Sequence, residues 1–266
     1  MTPTIFIMTD GLRPDAITSA TTPHLYHHRH HSSYSLTASS LMPTITLPCH
    51  MTIFHSIPAS RHGILNNQYH TPVHKIVGLI DHAHQHGRHT AAFHNWEVLR
   101  DLNRPGSLDH IYYLNNVEET PRLPEADEII IMAGLDYIHK HQPDFAFIYC
   151  GTVDVAGHDF GWMSPGYLEQ ATRLDAALGH FLAHCPPHYA TLIHSDHGGH
   201  DRTHGTDQPA DMLIPWFLAG PGIRTNQELT TPITLLDTAP TIAHLLDLPQ
   251  PAEWEGQVVT AAFAPA

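Results

Sequence analysis

The stretch ATLIHSDHGGHDRTHG at residues 190–205 passes from a short apolar run into a loop rich in glycine, histidine and aspartate. A run of this length that ends at a glycine-rich segment predicts a buried strand. The loop after it holds two aspartates and three histidines. A polar turn in a histidine-rich protein is the simpler explanation. A purely structural loop rarely needs that composition, however, so the stretch predicts a functional loop at the end of a strand.

Apolar runs of similar length recur along the chain and alternate with longer amphipathic stretches. The runs predict strands at 4–8, 89–93, 145–150, 190–195 and 213–218. The amphipathic stretches predict helices at 72–86, 123–141, 165–184 and 234–246. This alternation predicts an α/β fold with a largely parallel central sheet and helices on both faces. Neither a repeat nor a long Pro/Gly/Ser linker divides the chain, so we expect a single domain over 1–266.

Acidic residues follow three of the predicted strands. Asp10, Asp154 and Asp196 come after the first, third and fourth strands in chain order. Each residue alone is a weak signal, because aspartate is common in loops and caps. Ligands gather at the carboxyl ends of strands in an open parallel sheet. We therefore expect the three carboxylates to lie close together.

The charge balance bears on possible partners. Twelve basic and 26 acidic residues give a net charge of −14 with neutral histidine. Such a surface repels nucleic-acid backbones and anionic membranes. No apolar run reaches the length of a membrane-spanning helix. We therefore expect neither a nucleic acid polymer nor a membrane as a partner, and the composition leaves the oligomeric state open.

Histidine is the unusual component, with 27 residues in a chain of 266. Most of them must lie on the surface or in the core, because no plausible site needs more than a handful. The tract of His27, His28, His30 and His31 has a metal-binding composition. We expect this tract to lie on one exposed helix without a specific metal role.

The cysteines and the first residues bear on location. Cys49, Cys150 and Cys185 are an odd number with no close pair, which argues against a disulfide framework. The first residues lack the basic region and long apolar stretch of a secretory signal. Both features predict a cytoplasmic location.

Two further segments carry side chains that are candidates for catalysis or metal binding. Thr46 lies ahead of a proline in PTITLPCH at 43–50, a setting that suits a helix N-terminus, where amides and the dipole favour an anion. Taken alone, Thr46 is more simply a helix cap, because threonine is a poor nucleophile unless a base or a metal activates it. Asp154 and His158 are a stronger signal, since oxygen and nitrogen ligands suit zinc or manganese.

Four segments in this order resemble the alkaline phosphatase superfamily, and most closely its nucleotide pyrophosphatase/phosphodiesterase branch. They are the Asp10-Gly11 strand end, PTITLPCH at 43–50 with HGILNN at 62–67, DVAGH at 154–158 and SDHG at 195–198. The tail segments IPWFLAGPG at 214–222 and LDTAPT at 236–241 also resemble that family. The resemblance covers most of the chain and implies a two-metal hydrolase of phosphate esters.

The resemblance assigns seven ligands to two divalent ions, most simply zinc, with manganese as the alternative. One ion would be held by Asp10, Thr46, Asp196 and His197, and the other by Asp154, His158 and His204. Thr46 would also be the nucleophile that forms a phosphothreonine intermediate. Asn67, with Asn66 as the alternative, would bind a phosphoryl oxygen.

The chain departs from that family at two places. Cys49 stands where the branch usually has Asn before His, so an oxyanion or packing role of this position is open. Only six residues separate His197 from His204, whereas larger relatives insert a substantial segment there. We therefore expect a small or absent cap, with 95–122 as a possible insertion that shapes the substrate site.

The type of ester is predicted from what the chain lacks. A sulfatase of this superfamily would need Cys or Ser in place of Thr46. A phosphomonoesterase usually adds positive charge, but no Arg or Lys follows Thr46 until Arg61. Both absences favour a small phosphate diester, a pyrophosphate bond or a phosphonate as the substrate, of which we predict the diester or the pyrophosphate bond. Candidates for the substrate pocket, some of them expected only to pack, are Trp96, Arg100, Arg104 and Trp162.

Other reactions at the same residues stay open at this point. They are phosphonoacetate-type phosphonate hydrolysis, phosphomonoester hydrolysis and phosphomutase chemistry. The non-enzyme alternative is a histidine-rich metal-binding protein, which would hold many ions weakly instead of two tightly.

Overall fold

The computed structural model describes residues 1–70, 76–115 and 124–265. All five predicted strands are present, each within one residue at either end, while β2, β4 and β8 were not predicted. The strands are β1 (Thr4–Thr9), β2 (Ser33–Ser39), β3 (Thr90–His94), β4 (His110–Tyr113), β5 (Phe145–Cys150), β6 (Ala190–His194), β7 (Leu213–Ala219) and β8 (Gln227–Glu228).

These eight described strands form one sheet in the order β4-β3-β5-β1-β6-β7-β2-β8. The pairs from β4 to β6 are all parallel, as is the edge pair of β2 and β8. Only β7 runs antiparallel to its two neighbours, β6 and β2. The prediction of an α/β fold with a largely parallel central sheet is therefore confirmed.

The helices agree with the predictions in position more than in length. The helix predicted at 165–184 is observed with the same bounds, and the one at 234–246 is a short 3-10 turn followed by a helix. The helix predicted at 72–86 begins only at Leu79, and its first part falls outside the described residues. The helices are α1 (Pro23–His28), α2 (Thr46–His55), α3 (Ala59–His62), α4 (Leu79–Gln85), α5 (Ala126–His141), α6 (Thr152–Phe160), α7 (Pro165–His184), α8 (Pro209–Met212) and α9 (Thr238–Leu245).

Helices cover both faces of the sheet, as predicted. Successive side chains of a buried strand point to opposite sides of the sheet, so apolar side chains on both faces need a covering layer. Phe6 and Met8 of β1 pack into a core shared with α2, α4 and α9. Ile5 and Ile7 pack into the opposite core, shared with α1, α5 and α7. Each fully buried side chain of this size contributes about 1.5–3 kcal/mol to the stability of the fold. No helix in the described residues is long and apolar enough to span a bilayer.

Part of the large histidine content lies in the core. His28, His62 and His194 are at most 8% exposed. His62 contacts the hydroxyl of Thr52, and His194 contacts the hydroxyl of Thr238. The expectation that the tract around His28 forms one exposed helix is wrong, because α1 ends at His28, which is buried, and a 3-10 turn follows it.

These buried histidines predict acid lability. Burial lowers the pKa of His28, His62 and His194 to about 4, from 6.5. The unfolded chain therefore binds more protons than the folded one between these values, so the free energy of unfolding falls as the pH drops from about 6.5 to about 4. For the fully buried His194 the loss approaches about 3 kcal/mol.

Denaturant unfolding of the wild type and of His194→Gln at pH 7.5, 6 and 5 measures this effect. The variant should show a shallower loss of stability with falling pH, whereas the exposed His139→Gln should follow the wild type. Parallel pH profiles for all three proteins would contradict the assignment.

Candidate active site

Three acidic side chains meet at the carboxyl ends of adjacent parallel strands. Asp10 follows β1, Asp154 lies in the first turn of α6 after β5, and Asp196 follows β6. They converge because β1 pairs with both β5 and β6. Gly11, with a φ of +70°, permits the approach, since a Cβ atom on it would lie 2.9 Å from the Cα of Asp154.

Two groups of three side chains each present ligand atoms within 4.8 Å of one another. The first group is buried and the second is partly exposed. They contain Asp10, Asp196 and His197, and Asp154, His158 and His204, respectively. These groups coincide with the two predicted ligand sets apart from Thr46, whose Oγ1 lies 3.3 Å from the Nε2 of His197. The structure thus brings all seven predicted residues together, and their roles as ligands stay predictions.

The three imidazoles of these groups share one orientation. Each of His158, His197 and His204 places its Nδ1 2.7–3.0 Å from a backbone carbonyl oxygen. A carbonyl can only accept, so Nδ1 carries the hydrogen and Nε2 keeps its lone pair. Burial, together with His197, also lowers the pKa of His204 to about 3, which keeps this ring neutral. Such a fixed tautomer is typical of histidines that bind metals.

The carboxylates of the first group are short of hydrogen-bond donors. Asp10 and Asp196 are at most 1% exposed. Tyr149 donates to Oδ2 of Asp10 at 2.5 Å, but among the described residues no donor reaches Oδ1 of Asp10 or Oδ2 of Asp196. Burial raises the pKa of both Asp196 and Asp10, and the neighbouring carboxylates raise that of Asp10 further. Buried acids of this kind require a proton or a cation, and the oxygen and nitrogen donors fit zinc or manganese.

Thr46 is the first residue of α2 and is 5% exposed. The N–H of Leu47 donates to Oδ1 of Asn67 at 2.9 Å. This bond uses Oδ1 of Asn67 as an acceptor and holds its side-chain amide at the start of α2. Asn66 instead accepts from Gln68 in an exposed turn. The geometry therefore favours Asn67 over Asn66 as the residue beside Thr46.

The surroundings of Cys49 indicate a packing role for this residue. Its thiol is buried and lies 3.5 Å from the hydroxyl of Ser40 and 3.5 Å from the carbonyl oxygen of Pro43. Burial raises the pKa of this thiol well above 9. Cys49 therefore packs as a neutral thiol against the loop before α2.

The short loop between His197 and His204 is held by a residue that sequence reasoning missed. Asp211 is fully buried and accepts hydrogen bonds from the N–H and the hydroxyl of Thr206 and from Nδ1 of His200. These bonds tie both sides of the segment that carries His204.

The four pocket candidates have different surroundings. Trp162 is buried, donates to the carbonyl of Gly11 at 3.0 Å and packs edge-on against His158. Trp96 stacks on the ring of Tyr149. Both tryptophans therefore pack against side chains of the site. The exposed Arg100 and Arg104 instead pair with Glu97 and Asp81, respectively.

A cavity of about 690 Å³ lies beside β3 and β4. Its lining includes His94, Arg100 and Tyr113, and none of the predicted ligands belongs to it. Most of its walls come from the predicted insertion at 95–122, of which 116–122 lies outside the described residues. The role of this segment in shaping a substrate site stays a prediction.

Comparison with known sequences gives a consistent family. A sequence model described as type I phosphodiesterase / nucleotide pyrophosphatase matches residues 4–215. The chain is also 24% identical over 213 residues to an uncharacterized pyrophosphatase/phosphodiesterase of Schizosaccharomyces pombe. That match covers 73% of this chain and 44% of the relative, so the chain spans less than half of the length of this curated relative.

Comparison with solved structures gives the same fold at low sequence identity. Murine ectonucleotide pyrophosphatase/phosphodiesterase 5, described as an inactive threonine-to-alanine variant in complex with AMP, superposes with a TM-score of 0.77 at 16% identity. That match covers 94% of this chain and 96% of the murine one. The alkaline phosphatase PafA superposes with a TM-score of 0.80 at 11% identity and covers 98% of both chains.

Proposed function

Because the chain belongs to the type I phosphodiesterase / nucleotide pyrophosphatase family, we propose that it is a metal-dependent hydrolase of phosphate esters. The observation that carries this proposal is the pair of three-residue groups at the carboxyl ends of β1, β5 and β6. Asp10 and Asp196 are buried beside each other, and each has an oxygen that no hydrogen-bond donor from residues 1–70, 76–115 or 124–265 reaches, an arrangement that favours bound cations.

Two divalent cations, zinc or manganese, would be held by the seven residues named above. When bound, they would supply positive charge beside the attacking and leaving oxygens of the reaction. The ligand atoms support this assignment. Each of the three imidazoles carries its hydrogen on Nδ1 and so has a lone pair on Nε2, and zinc accepts both imidazole nitrogen and carboxylate oxygen as ligands.

The chain's own residues perform the remaining steps. The Oγ1 atom of Thr46 gives up its proton and forms a bond to phosphorus while the bond to the leaving oxygen breaks and that oxygen takes up a proton. This gives an alcohol or phosphate product and a phosphothreonine that still carries the other ester group. Water then cleaves the bond between Oγ1 and phosphorus, which restores the hydroxyl of Thr46 and releases the second product, a phosphate monoester. Nδ2 of Asn67 would donate to a non-bridging oxygen throughout, as would the N–H of Thr46, which has no acceptor in the described part of the chain.

The charges near Thr46 support a diester or a pyrophosphate bond as the target. Arg61, the first cation after Thr46, is tied to Glu255. Arg13 is tied to Asp15 and to the carbonyl of Gly199. Neither guanidinium is therefore available for the second negative charge of a phosphomonoester. The AMP in the murine neighbour supports a small nucleotide-like ester as the substrate class.

A panel of chromogenic substrates tests this function. The purified protein is compared on bis-(p-nitrophenyl) phosphate, p-nitrophenyl phosphate, a p-nitrophenyl phenylphosphonate and p-nitrophenyl sulfate, with and without chelator. We expect kcat/KM for the diester to exceed that for the monoester by at least about tenfold, or about 1.4 kcal/mol in transition-state stabilisation. Faster turnover of the monoester or the sulfate would contradict the proposed preference, and turnover that survives chelation would contradict the metal dependence.

The proposed function also bears on the predicted partner and cellular location. A small phosphate ester is the partner that the site supports. The cytoplasmic location stays a prediction, which rests on three cysteines that are all free in the structure.

A further inference from the structure

Asp127 is a buried carboxylate outside both ligand groups. It is the second residue of α5 and is 2% exposed. Its oxygens accept hydrogen bonds from Nδ2 of Asn95 at 3.1 Å, from the N–H of Gly151 at 3.0 Å and from the hydroxyl of Thr152 at 2.6 Å. Asp127 therefore lies under the turn where β5 ends and α6 begins.

The N-terminus of α6 lacks a capping side chain of its own. Its N-cap residue is Gly151, which has no side chain to accept from the first amides of the helix. The N–H of Thr152 lies 3.2 Å from Oδ2 of Asp127 instead. A negative charge at this end of a helix is favourable. Asp127 thus caps α6 from a different helix.

The cap also links α6 to its surroundings. Nε2 of Gln170, on α7, lies 2.7 Å from the hydroxyl of Thr152 and 2.8 Å from the carbonyl oxygen of Pro124. Asn95, which donates to Asp127, directly follows β3. Asp127 therefore ties the start of α6 to α5 and to the end of β3, and Thr152 ties it to α7.

Two residues of the second ligand group lie on this helix. Asp154 and His158 are two and six residues beyond Thr152. A shift of the first turn of α6 would move both together relative to His204, which lies on a separate loop. Asp10, Asp196 and His197 lie on the loops after β1 and β6, so the same shift would leave the first group in place.

We propose that Asp127 is a positioning residue, which sets the geometry of Asp154 and His158 and thereby the affinity of the second ligand group for a divalent cation. The inference rests on the proposed function only in that it needs cations at the two groups. Asp127 itself belongs to neither ligand group.

Asp127→Asn is the variant that tests this inference. It keeps the size of the side chain but places an amide donor against the N–H and hydroxyl donors of Thr152. Zn²⁺ titration in competition with a chromophoric chelator counts the tight ions and gives their dissociation constants. We expect the wild type to bind two tight ions, and the variant to keep one unchanged and to bind the other about 10- to 100-fold more weakly.

Asp175→Asn is a matched control. Asp175 is also buried, and it accepts from the backbone amides of His24 and Leu25 at the start of α1, a helix without predicted ligands. The Asp175→Asn variant should have a lower thermal unfolding midpoint in the metal-free state and unchanged affinities for both zinc ions. If Asp127→Asn does not yield folded protein, Thr152→Val, which removes one of the hydrogen bonds to Asp127, should weaken the same ion by a smaller factor.

Three results would separate the possibilities. Wild-type zinc affinities in Asp127→Asn, or in Thr152→Val where that variant replaces it, would overturn the inference. Equal weakening in Asp127→Asn and Asp175→Asn would also overturn it, because the effect would then be general destabilisation. A wild-type protein without two tight ions would instead overturn the proposed function.

Discussion

Replacing Thr46 with alanine is expected to lower kcat for bis-(p-nitrophenyl) phosphate by about 10³-fold or more, as loss of an attacking oxygen does in other enzymes with a covalent intermediate. The hydroxyl is 3.3 Å from the Nε2 of His197 and lies at the start of α2, beside the amide of Asn67. Six of the seven predicted ligands remain in the variant. We therefore expect it to bind two tight ions with little turnover.

Two further variants make this test specific. Thr46→Ser keeps a hydroxyl and should restore measurable turnover. Thr52→Ala removes a buried hydroxyl from the same helix, one that contacts His62 instead of the site, and should keep wild-type kcat. Acid-quenched wild-type reactions should yield a phosphorylated peptide that contains Thr46. Near-normal activity of Thr46→Ala would exclude this residue as the nucleophile and would leave the histidine-rich binding protein as a serious alternative.

Removal of divalent ions is expected to have the second large effect, on stability as well as on turnover. Metal that binds only the folded state stabilises it by about 4 kcal/mol when its free concentration is 1,000 times the dissociation constant. For a chain of this length, that energy corresponds to about 10 °C in the unfolding midpoint. We expect chelation to abolish diester hydrolysis and to lower the midpoint by this amount, and zinc or manganese to reverse both changes.

A variant of Asp196 separates metal binding from general damage. Asp196→Asn removes one buried negative charge beside Asp10 and Asp154. Without metal at pH 8, the variant should be more stable than the wild type, and added metal should stabilise it less. Asp175→Asn, which changes a buried carboxylate outside the site, should show the opposite pattern of lower stability and a normal response to metal. A wild-type response in Asp196→Asn would argue against this ligand.

The sequence predicted the strands that are apolar on both faces and missed those that are not. β5 and β6 are fully buried, and their continuous apolar runs made them visible. β2 reads SYSLTAS and buries serines where an apolar residue would be expected. Its place in the sheet depends on pairing with β7, a contact between distant parts of the chain. Local pattern does not contain that information.

The same distinction applies to the site. The ligand candidates could be predicted because they occur in short motifs that follow strands. Tyr149, Asp127 and Asp211 were missed because each is an ordinary residue type whose value comes from a partner. Tyr149 donates to Asp10, 139 positions away in the chain. Asp127 accepts from residues 24 and 25 positions away. Only the folded arrangement identifies such supporting residues.

The central place of β1 has a consequence for how the protein is made. β1 is the first strand in the chain, yet its two neighbours, β5 and β6, end at Cys150 and His194. A nascent chain therefore carries an apolar strand with at least one open edge until β6 has been synthesised, a state prone to aggregation. The sheet closes around β1 only when β6 has emerged from the ribosome. We expect fragments that stop before Ala190 to require chaperones and to lack part of each ligand group.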